Sequence, residues 1–95
     1  MVKKIIKFSA TWCAPCRFYA ETFKKVSERE EFKDIEFKAM DIEEDEAEEL
    51  VNKFAIRNVP STVILGENDE PIYKVIGNVK ENDLVDVIND AINKQ

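Results

Sequence analysis

The most informative stretch of the chain is Ile5-Ile6-Lys7-Phe8-Ser9-Ala10-Thr11-Trp12-Cys13-Ala14-Pro15-Cys16-Arg17. Its first four residues form a short, mostly apolar run with two β-branched side chains, a pattern that predicts a buried strand. From Ala14 to about Glu31, apolar residues recur at spacings of four and three, which predicts a helix with Pro15 in its first turn. The only two cysteines of the chain therefore lie where a strand passes into a helix.

The remaining sequence predicts five further elements in alternating order. Residues 35–42 alternate as a strand, residues 45–55 have a helical apolar face, and residues 61–65 and 71–76 form a hairpin around a short turn. Residues 80–93 predict a final helix whose inward residues are Leu84, Val85, Ile88, Ala91 and Ile92. The order β-α-β-α-β-β-α requires a parallel crossover and then an antiparallel hairpin. We therefore expect an α/β fold, a four-stranded mixed sheet flanked by three helices, in a single domain over residues 1–95.

Composition excludes several functional classes. The 95 residues include no histidine, which excludes catalytic Ser-His-Asp and Cys-His arrangements, and two glycines are too few for a glycine-rich phosphate loop. Fourteen basic and 20 acidic residues give a net charge of -6, which disfavours nucleic acid and anionic membranes as partners. No apolar run is long enough to span a membrane and no signal peptide is evident, so we expect a cytoplasmic location.

Seven of the nine residues from Asp41 to Glu49 are acidic. Such a run could bind a metal ion or a basic partner, or it could form a solvated helix face. We favour the solvated face because charge runs on a helix usually face water.

The cysteine pair Cys13-Ala14-Pro15-Cys16 carries the predicted chemistry. Residues three apart at a helix start share a face, so the two sulfurs can approach bonding distance. The unpaired N–H groups and the helix dipole stabilise an anion at Cys13, which we expect to be an exposed thiolate of low pKa that attacks a substrate disulfide. Cys16, shielded one turn inside, would resolve the mixed disulfide, and Pro15 stiffens the link between the two cysteines.

The pair has three other possible interpretations: two inert buried cysteines, a structural disulfide, and a metal site shared across a dimer. Redox chemistry is favoured because the C-x-x-C motif follows a strand of a βαβ pattern, comes after Trp12, and has no other cysteine near it.

Residues 8–17 resemble the active-site segment of thioredoxins, W-C-G-P-C-K, with Ala14 in place of Gly and Arg17 in place of Lys. Residues 56–62 are similar to the segment I-R-x-[IV]-P-T of that family, and Gly77 followed by Leu84 matches its G-x₆-L ending. The resemblance covers nearly the whole chain. It implies a minimal thioredoxin fold that lacks the N-terminal strand and helix of full-length thioredoxins.

The resemblance also implies roles for other residues. The peptide bond between Val59 and Pro60 would be cis, and the backbone of Val59 would pair with an extended substrate. Trp12, Pro60, Gly77 and Asn78 would border the substrate groove, while Trp12, Ala14 and Pro15 would modulate the cysteines. The family needs no bound cofactor and no metal. Its members act on disulfide-containing client proteins and receive electrons from a thioredoxin reductase, and we expect a monomer.

Lys7 departs from the family pattern. Thioredoxins usually carry a buried Asp there, six residues before the first cysteine, and its usual lysine partner aligns with Ala39. A charged Lys7 would favour the thiolate and make the protein more oxidising, whereas a neutral Lys7 could accept a proton. Alternatively, the side chain extends to solvent along its stem and has no chemical role.

Two rival functions stay open from the sequence. One is a glutaredoxin-like, glutathione-dependent reductase, although those proteins typically have C-P-Y-C and a Gly-Gly pair where this chain has Ile76-Gly77. The other is a non-catalytic C-x-x-C module that binds a soft metal or an iron–sulfur cluster.

Overall fold

A computed structural model describes residues 1–94, which contain four strands, three α-helices and three short 3-10 turns. The strands are β1 (Lys4–Ser9), β2 (Glu36–Asp41), β3 (Ser61–Leu65) and β4 (Pro71–Ile76). The helices are α1 (Ala14–Ser27), α2 (Glu48–Lys53) and α3 (Glu81–Asn93). The predicted order β-α-β-α-β-β-α is confirmed.

The four strands form one mixed sheet in the order β2-β1-β3-β4. β1 runs parallel to β2 and antiparallel to β3, and β3 pairs antiparallel with β4. Lys7, in the centre of the sheet, pairs with Ala39 of β2 on one side and with Thr62 of β3 on the other. Ala39, the residue that aligns with the family's usual lysine partner, is thus the direct neighbour of Lys7 in β2.

The two faces of the sheet bury separate cores because successive residues of a strand point to opposite faces. Ile5 of β1 faces α1 and α3, and we call this the two-helix face. Its fully buried side chains also include Tyr19, Val26, Ile64, Leu84, Ile88 and Ala91. Ile6 and Phe8 face α2, and we call this the one-helix face. Its buried side chains also include Met40, Ala47, Phe54, Ile56, Val63 and Leu65.

Two predicted helices are shorter in the structure. α1 ends at Ser27, whose hydroxyl donates to the carbonyl oxygen of Lys24, and a separate 3-10 turn then brings Phe32 into the core. The helix predicted over residues 45–55 divides into a 3-10 turn and α2. α2 cannot continue past Phe54 because Ala55 takes a left-handed conformation with φ 53°.

One side chain predicted to face inward does not. Leu84, Ile88 and Ala91 of α3 are buried and Val85 is half-buried, as expected, but Ile92 is 39% exposed. It lies in the last turn of the helix, one residue before the helix ends at Asn93. Within residues 1–94, no helix has the length and apolar character that crossing a membrane requires.

Candidate active site

The site lies where β1 ends and α1 begins. Cys13 is the residue before the first turn of α1, in an extended conformation, and the backbone N–H of Cys16 donates to its sulfur over 3.2 Å. Pro15 lies in the first turn, where its missing N–H leaves no bond unmade. The expected contact between the cysteine sulfur and the unpaired amides of the helix start is therefore present.

The structure joins Cys13 and Cys16 by a disulfide, with their Cα atoms 5.3 Å apart. Cys16 is 3% exposed, which confirms its shielded position. The expectation that Cys13 is exposed is wrong for this oxidised form, because Cys13 is only 4% exposed. Its sulfur is bonded to Cys16 and packs in a small cluster with Ala10, Ile42 and Val59.

The loop before β3 approaches the disulfide from the other side. The bond between Val59 and Pro60 is cis, as the sequence resemblance implied, and the carbonyl oxygen of Val59 lies 3.7 Å from the sulfur of Cys13. The backbone N–H of Gly77 donates to the carbonyl oxygen of Pro60 over 2.8 Å. Gly77 has φ 100°, a left-handed conformation that glycine adopts without strain. The end of β4 is thereby fixed to the loop that covers the cysteines.

A groove of about 370 Å³ opens beside Val59 and Trp12. Trp12 is 65% exposed, so its ring is available to a partner. Of the other residues expected at the groove, Pro60 is buried, Gly77 is half-buried and Asn78 is exposed, and none of the three lines this cavity.

Four residues that were not predicted to border the groove also line it: Ile42, and Ile56, Arg57 and Asn58 of the segment that resembles the family. Ile42 offered the clearest signal. It directly follows β2, and because β1 and β2 are parallel their carboxyl ends meet at one edge of the sheet.

Lys7 lies beneath the disulfide, on the two-helix face. The residue is 7% exposed, and its ammonium group lies 5.5 Å from the centre of the Phe23 ring. Burial lowers the pKa of Lys7 because the charged form loses hydration. Lys7 and Cys16 line the same cavity of about 320 Å³, which opens between β1 and α1. Ala14, the other residue expected to modulate the cysteines, is exposed in the first turn of α1.

A buried polar contact fixes α1 to the sheet. The hydroxyl of Tyr19 and the hydroxyl of Thr62 on β3 lie 2.6 Å apart and share a hydrogen bond. Burial raises the pKa of Tyr19 to about 12, although the hydrogen bond to Thr62 opposes this shift, so the phenol is neutral at physiological pH. The contact fixes the helix that carries Cys16 against the strand beside Lys7.

The acidic run forms the 3-10 turn Asp45–Ala47 and the start of α2. Its carboxylate residues are exposed or half-buried, as expected for a solvated face. In the part of the chain that the structure describes, no group of three or more acidic or thiol side chains is arranged to hold a metal ion.

The comparisons with known proteins agree with this geometry. The Thioredoxin family model matches residues 2–90. Among curated relatives, thioredoxin H5 of Oryza sativa is 40% identical over 78 residues, which cover 82% of this chain and 54% of that protein. A thioredoxin of Aspergillus fumigatus is 33% identical over 77% of this chain and 64% of its own. The chain thus spans between half and two thirds of the length of these two relatives.

Other relatives are covered more fully. A thioredoxin of Rickettsia bellii is 33% identical over 90 residues, which cover 93% of this chain and 80% of that one. Among solved structures, a thioredoxin of Malassezia sympodialis superposes with a TM-score of 0.79 at 28% identity, covering 93% of this chain and 73% of that chain. The family match, these relatives and the disulfide at the start of α1 all lead to one conclusion: the chain belongs to the thioredoxin family.

Proposed function

We propose that this protein is a thiol–disulfide oxidoreductase that reduces disulfides of other proteins through the Cys13-Ala14-Pro15-Cys16 pair. The observation that carries the proposal is the disulfide between Cys13 and Cys16 at the start of α1, with the Cys16 N–H donating to the sulfur of Cys13. The same amide that contacts the disulfide would stabilise a Cys13 thiolate after reduction.

The reaction proceeds in two exchange steps. In the first, the Cys13 thiolate attacks a client disulfide, forms a mixed disulfide and displaces one client thiolate. In the second, Cys16 attacks the sulfur of Cys13, which restores the Cys13–Cys16 disulfide and releases the second client thiolate. The two Cα atoms lie 5.3 Å apart in the closed form, a separation typical of disulfides. Cys13 is therefore assigned as the nucleophile and Cys16 as the resolving cysteine.

The groove beside Trp12 and Val59 is the proposed client site. An extended client segment would pair with the backbone of Val59, which lies next to the sulfur of Cys13. Pro60 shapes the loop, and Gly77 holds the end of β4 against it through the hydrogen bond to the Pro60 carbonyl oxygen. Ala14 and Pro15 stand between the cysteines and modulate their reactivity.

The proposed cycle requires no bound cofactor and no metal, because the electrons reside on the two sulfurs. Electrons would come from a separate thioredoxin-reductase-like protein, and the clients would be disulfide-containing proteins. We propose a monomer that acts in the cytoplasm and binds neither nucleic acid nor membrane, consistent with its net charge of -6. The thioredoxin relatives favour this function over the glutathione-dependent and metal-binding alternatives.

The proposal is tested with insulin, whose precipitation reports disulfide reduction. The wild type should accelerate reduction, and both Cys13→Ser and Cys16→Ser should lower the rate to that of the uncatalysed reaction. Only Cys16→Ser should accumulate a covalent adduct with the client, because it can attack but cannot resolve. Mass spectrometry under non-reducing conditions identifies the adduct. A wild type that does not exceed the uncatalysed rate, or an adduct on Cys13→Ser instead, contradicts the assignment.

A further inference from the structure

The cavity between β1 and α1 concentrates positive charge in an acidic protein. It has a volume of about 320 Å³, and its charged lining residues are Lys7 and Arg17. None of its lining residues is acidic, although the chain has 20 acidic and 14 basic residues. A concave surface lined by charges of one sign attracts ligands of the opposite sign. The exchange steps above assign no role to this cavity.

Lys7 presents its ammonium group to this cavity. Among the described residues the ammonium has no ion pair and no hydrogen bond, and it lies 5.5 Å from the centre of the Phe23 ring. In residues 1–94 no fully buried side-chain nitrogen lacks a hydrogen-bond partner, so the Lys7 ammonium keeps contact with solvent. Because Lys7 lines the cavity, we place that contact there. The cation is thus available to a ligand.

Arg17 supplies a second cation at the same cavity. Its Nη2 atom donates to the carbonyl oxygen of Thr11 over 3.1 Å, which leaves further donors of the guanidinium for a ligand. Ser9 and Thr11 also line the cavity, and within the described chain neither hydroxyl makes a hydrogen bond. Guanidinium and hydroxyl donors of this kind bind the oxygen atoms of phosphate and carboxylate groups.

Two carboxylates lie close to the cavity without lining it. Asp41 pairs with Ser9 in the sheet, so the two side chains share a face. The carboxylate of Asp41 accepts from the backbone N–H of Glu43, in the loop that follows β2. Glu21 is exposed on α1, next to a lining residue. Within residues 1–94 neither Asp41 nor Glu21 forms an ion pair with the cations of the cavity, so both cations can bind another anion.

We propose that this cavity binds a small oxyanion, of the phosphate, sulfate or carboxylate class, through the ammonium of Lys7 and the guanidinium of Arg17. The hydroxyls of Ser9 and Thr11 supply further donors to the oxygen atoms of the ligand. None of these four residues lines the proposed client groove except through the backbone neighbour of Thr11, so the anion and the client occupy separate sites. The proposal goes beyond disulfide exchange and does not depend on it.

Burial makes an anionic ligand favourable at this position. It lowers the pKa of Lys7 because the ammonium loses hydration, and attraction to a bound anion would offset that loss. The two effects are reciprocal: if the charge on Lys7 strengthens anion binding, a bound anion raises the pKa of Lys7 by the same free energy. The cavity volume of about 320 Å³ is sufficient for an oxyanion and several water molecules, each of which occupies about 30 Å³ in the liquid.

The first test uses inorganic phosphate as the probe and the disulfide-bonded full chain as the target. Isotope-labelled protein is titrated with sodium phosphate at constant pH, while sodium chloride keeps the ionic strength constant. We expect the backbone amide NMR signals of Ser9, Thr11 and Arg17 to shift and then to saturate. Shifts that do not saturate, or that are spread evenly over the basic residues, overturn the proposal. Parallel titrations define the ligand class: saturation with sulfate alone supports a site for tetrahedral oxyanions, and saturation with acetate as well supports one that also accepts carboxylates.

Matched variants assign the binding to the two cations. Lys7→Met and Arg17→Gln should each weaken phosphate binding by about tenfold, as expected for the loss of one charge-assisted hydrogen bond. Lys38→Met and Arg57→Gln make the same changes at exposed positions outside the cavity and should bind phosphate as the wild type does. Wild-type affinity in either variant of the cavity overturns the proposal, and so does an equal loss in the two control variants.

A measurement on the unmodified chain covers the case in which a variant fails to fold. NMR titration of the Lys7 side chain should give a higher pKa in phosphate than in chloride of the same ionic strength, because only a bound anion stabilises the ammonium. The exposed Lys38 should have the same pKa in both salts. Equal values for Lys7 in the two salts overturn the proposal. Neither measurement requires redox turnover, so a failure of the proposed exchange reaction and a failure of the anion site are distinguishable.

Discussion

The two faces of the sheet differ in the length of the helices that cover them and in how many helix side chains are buried there. The two-helix face is covered by α1 and α3, helices of 14 and 13 residues that together bury seven side chains. The one-helix face is covered by α2, a helix of six residues that buries none of its own side chains completely. Its core depends instead on residues at either end of α2, Ala47 and Phe54, and on half-buried Leu50 and Val51.

The two parts of the candidate site, the cysteine pair and the groove, are supported by different faces of the sheet. Cys16 and Lys7 lie on the well-covered side, where α1 is held to β3 by the contact between Tyr19 and Thr62. The groove next to Val59 is instead lined by Ile42 and by residues that follow α2. Segments with few buried contacts open locally at lower free energy than the rest of a fold. We therefore expect α1, which carries Cys16, to belong to the more stable layer, whereas the proposed client groove lies beside the less stable one.

The largest change in the free energy of unfolding should appear when an aliphatic side chain of the same size is truncated to Ala on each face. Ile88→Ala removes a fully buried side chain from the two-helix face and should lower the free energy of unfolding by about 3 kcal/mol, within the usual range for such cavities. Leu50→Ala, on half-buried α2, should cost only about 1 kcal/mol because less surface is lost from the core. Urea unfolding of the oxidised protein measures both losses of stability. Equal losses would contradict the claim that the two-helix face is the better packed one.

A smaller effect should follow from the polar contact on the two-helix face. Tyr19→Phe leaves the buried hydroxyl of Thr62 without its partner and should lower the free energy of unfolding by about 1–2 kcal/mol. In the double variant Tyr19→Phe with Thr62→Val, both polar groups are gone and part of the stability should return. Denaturant unfolding of the four proteins gives the coupling energy. If the double variant is as unstable as the sum of the single variants, the contact does not hold α1 to the sheet.

The smallest expected effect is a dependence of stability on pH that comes from Lys7. Because burial holds the pKa of Lys7 below its ordinary value of 10.5, the unfolded chain binds more protons here than the folded chain between the two pKa values. This group therefore makes the wild type gain stability as pH rises through that window. Lys7→Met lacks the group, so its stability relative to the wild type should be highest near neutral pH and should decline toward pH 10.5.

Urea midpoints of disulfide-bonded protein across that pH range measure the decline, and Lys38→Met serves as the control for an exposed lysine. A constant difference between Lys7→Met and the wild type would show that Lys7 is as well hydrated in the fold as in the unfolded chain. The two-helix face would then be more open beneath the disulfide than the burial of Lys7 indicates.

The local sequence pattern was sufficient to predict those features that depend only on residues close together in the chain. Apolar and alternating runs predicted the four strands, and helical spacing predicted the three α-helices, with Pro15 in the first turn of α1. The cysteine pair was recognisable for the same reason, since its chemistry needs only three residues of spacing and a helix start. The helix ends were less accurate, because the left-handed Ala55 and the separate turn that buries Phe32 depend on packing against the rest of the chain.

The order of the elements, the arrangement of the sheet and the two cysteines that form the disulfide could thus be predicted from the sequence alone. Only the tertiary structure decided that Cys13 is covered when oxidised, that Ile42 and Ile56 join the groove, and that Lys7 shares a cavity with Cys16. The difference arises from how far along the chain each physical effect acts. Periodicity and helix dipoles act over a few residues, whereas burial and shared cavities arise between residues that only folding brings together.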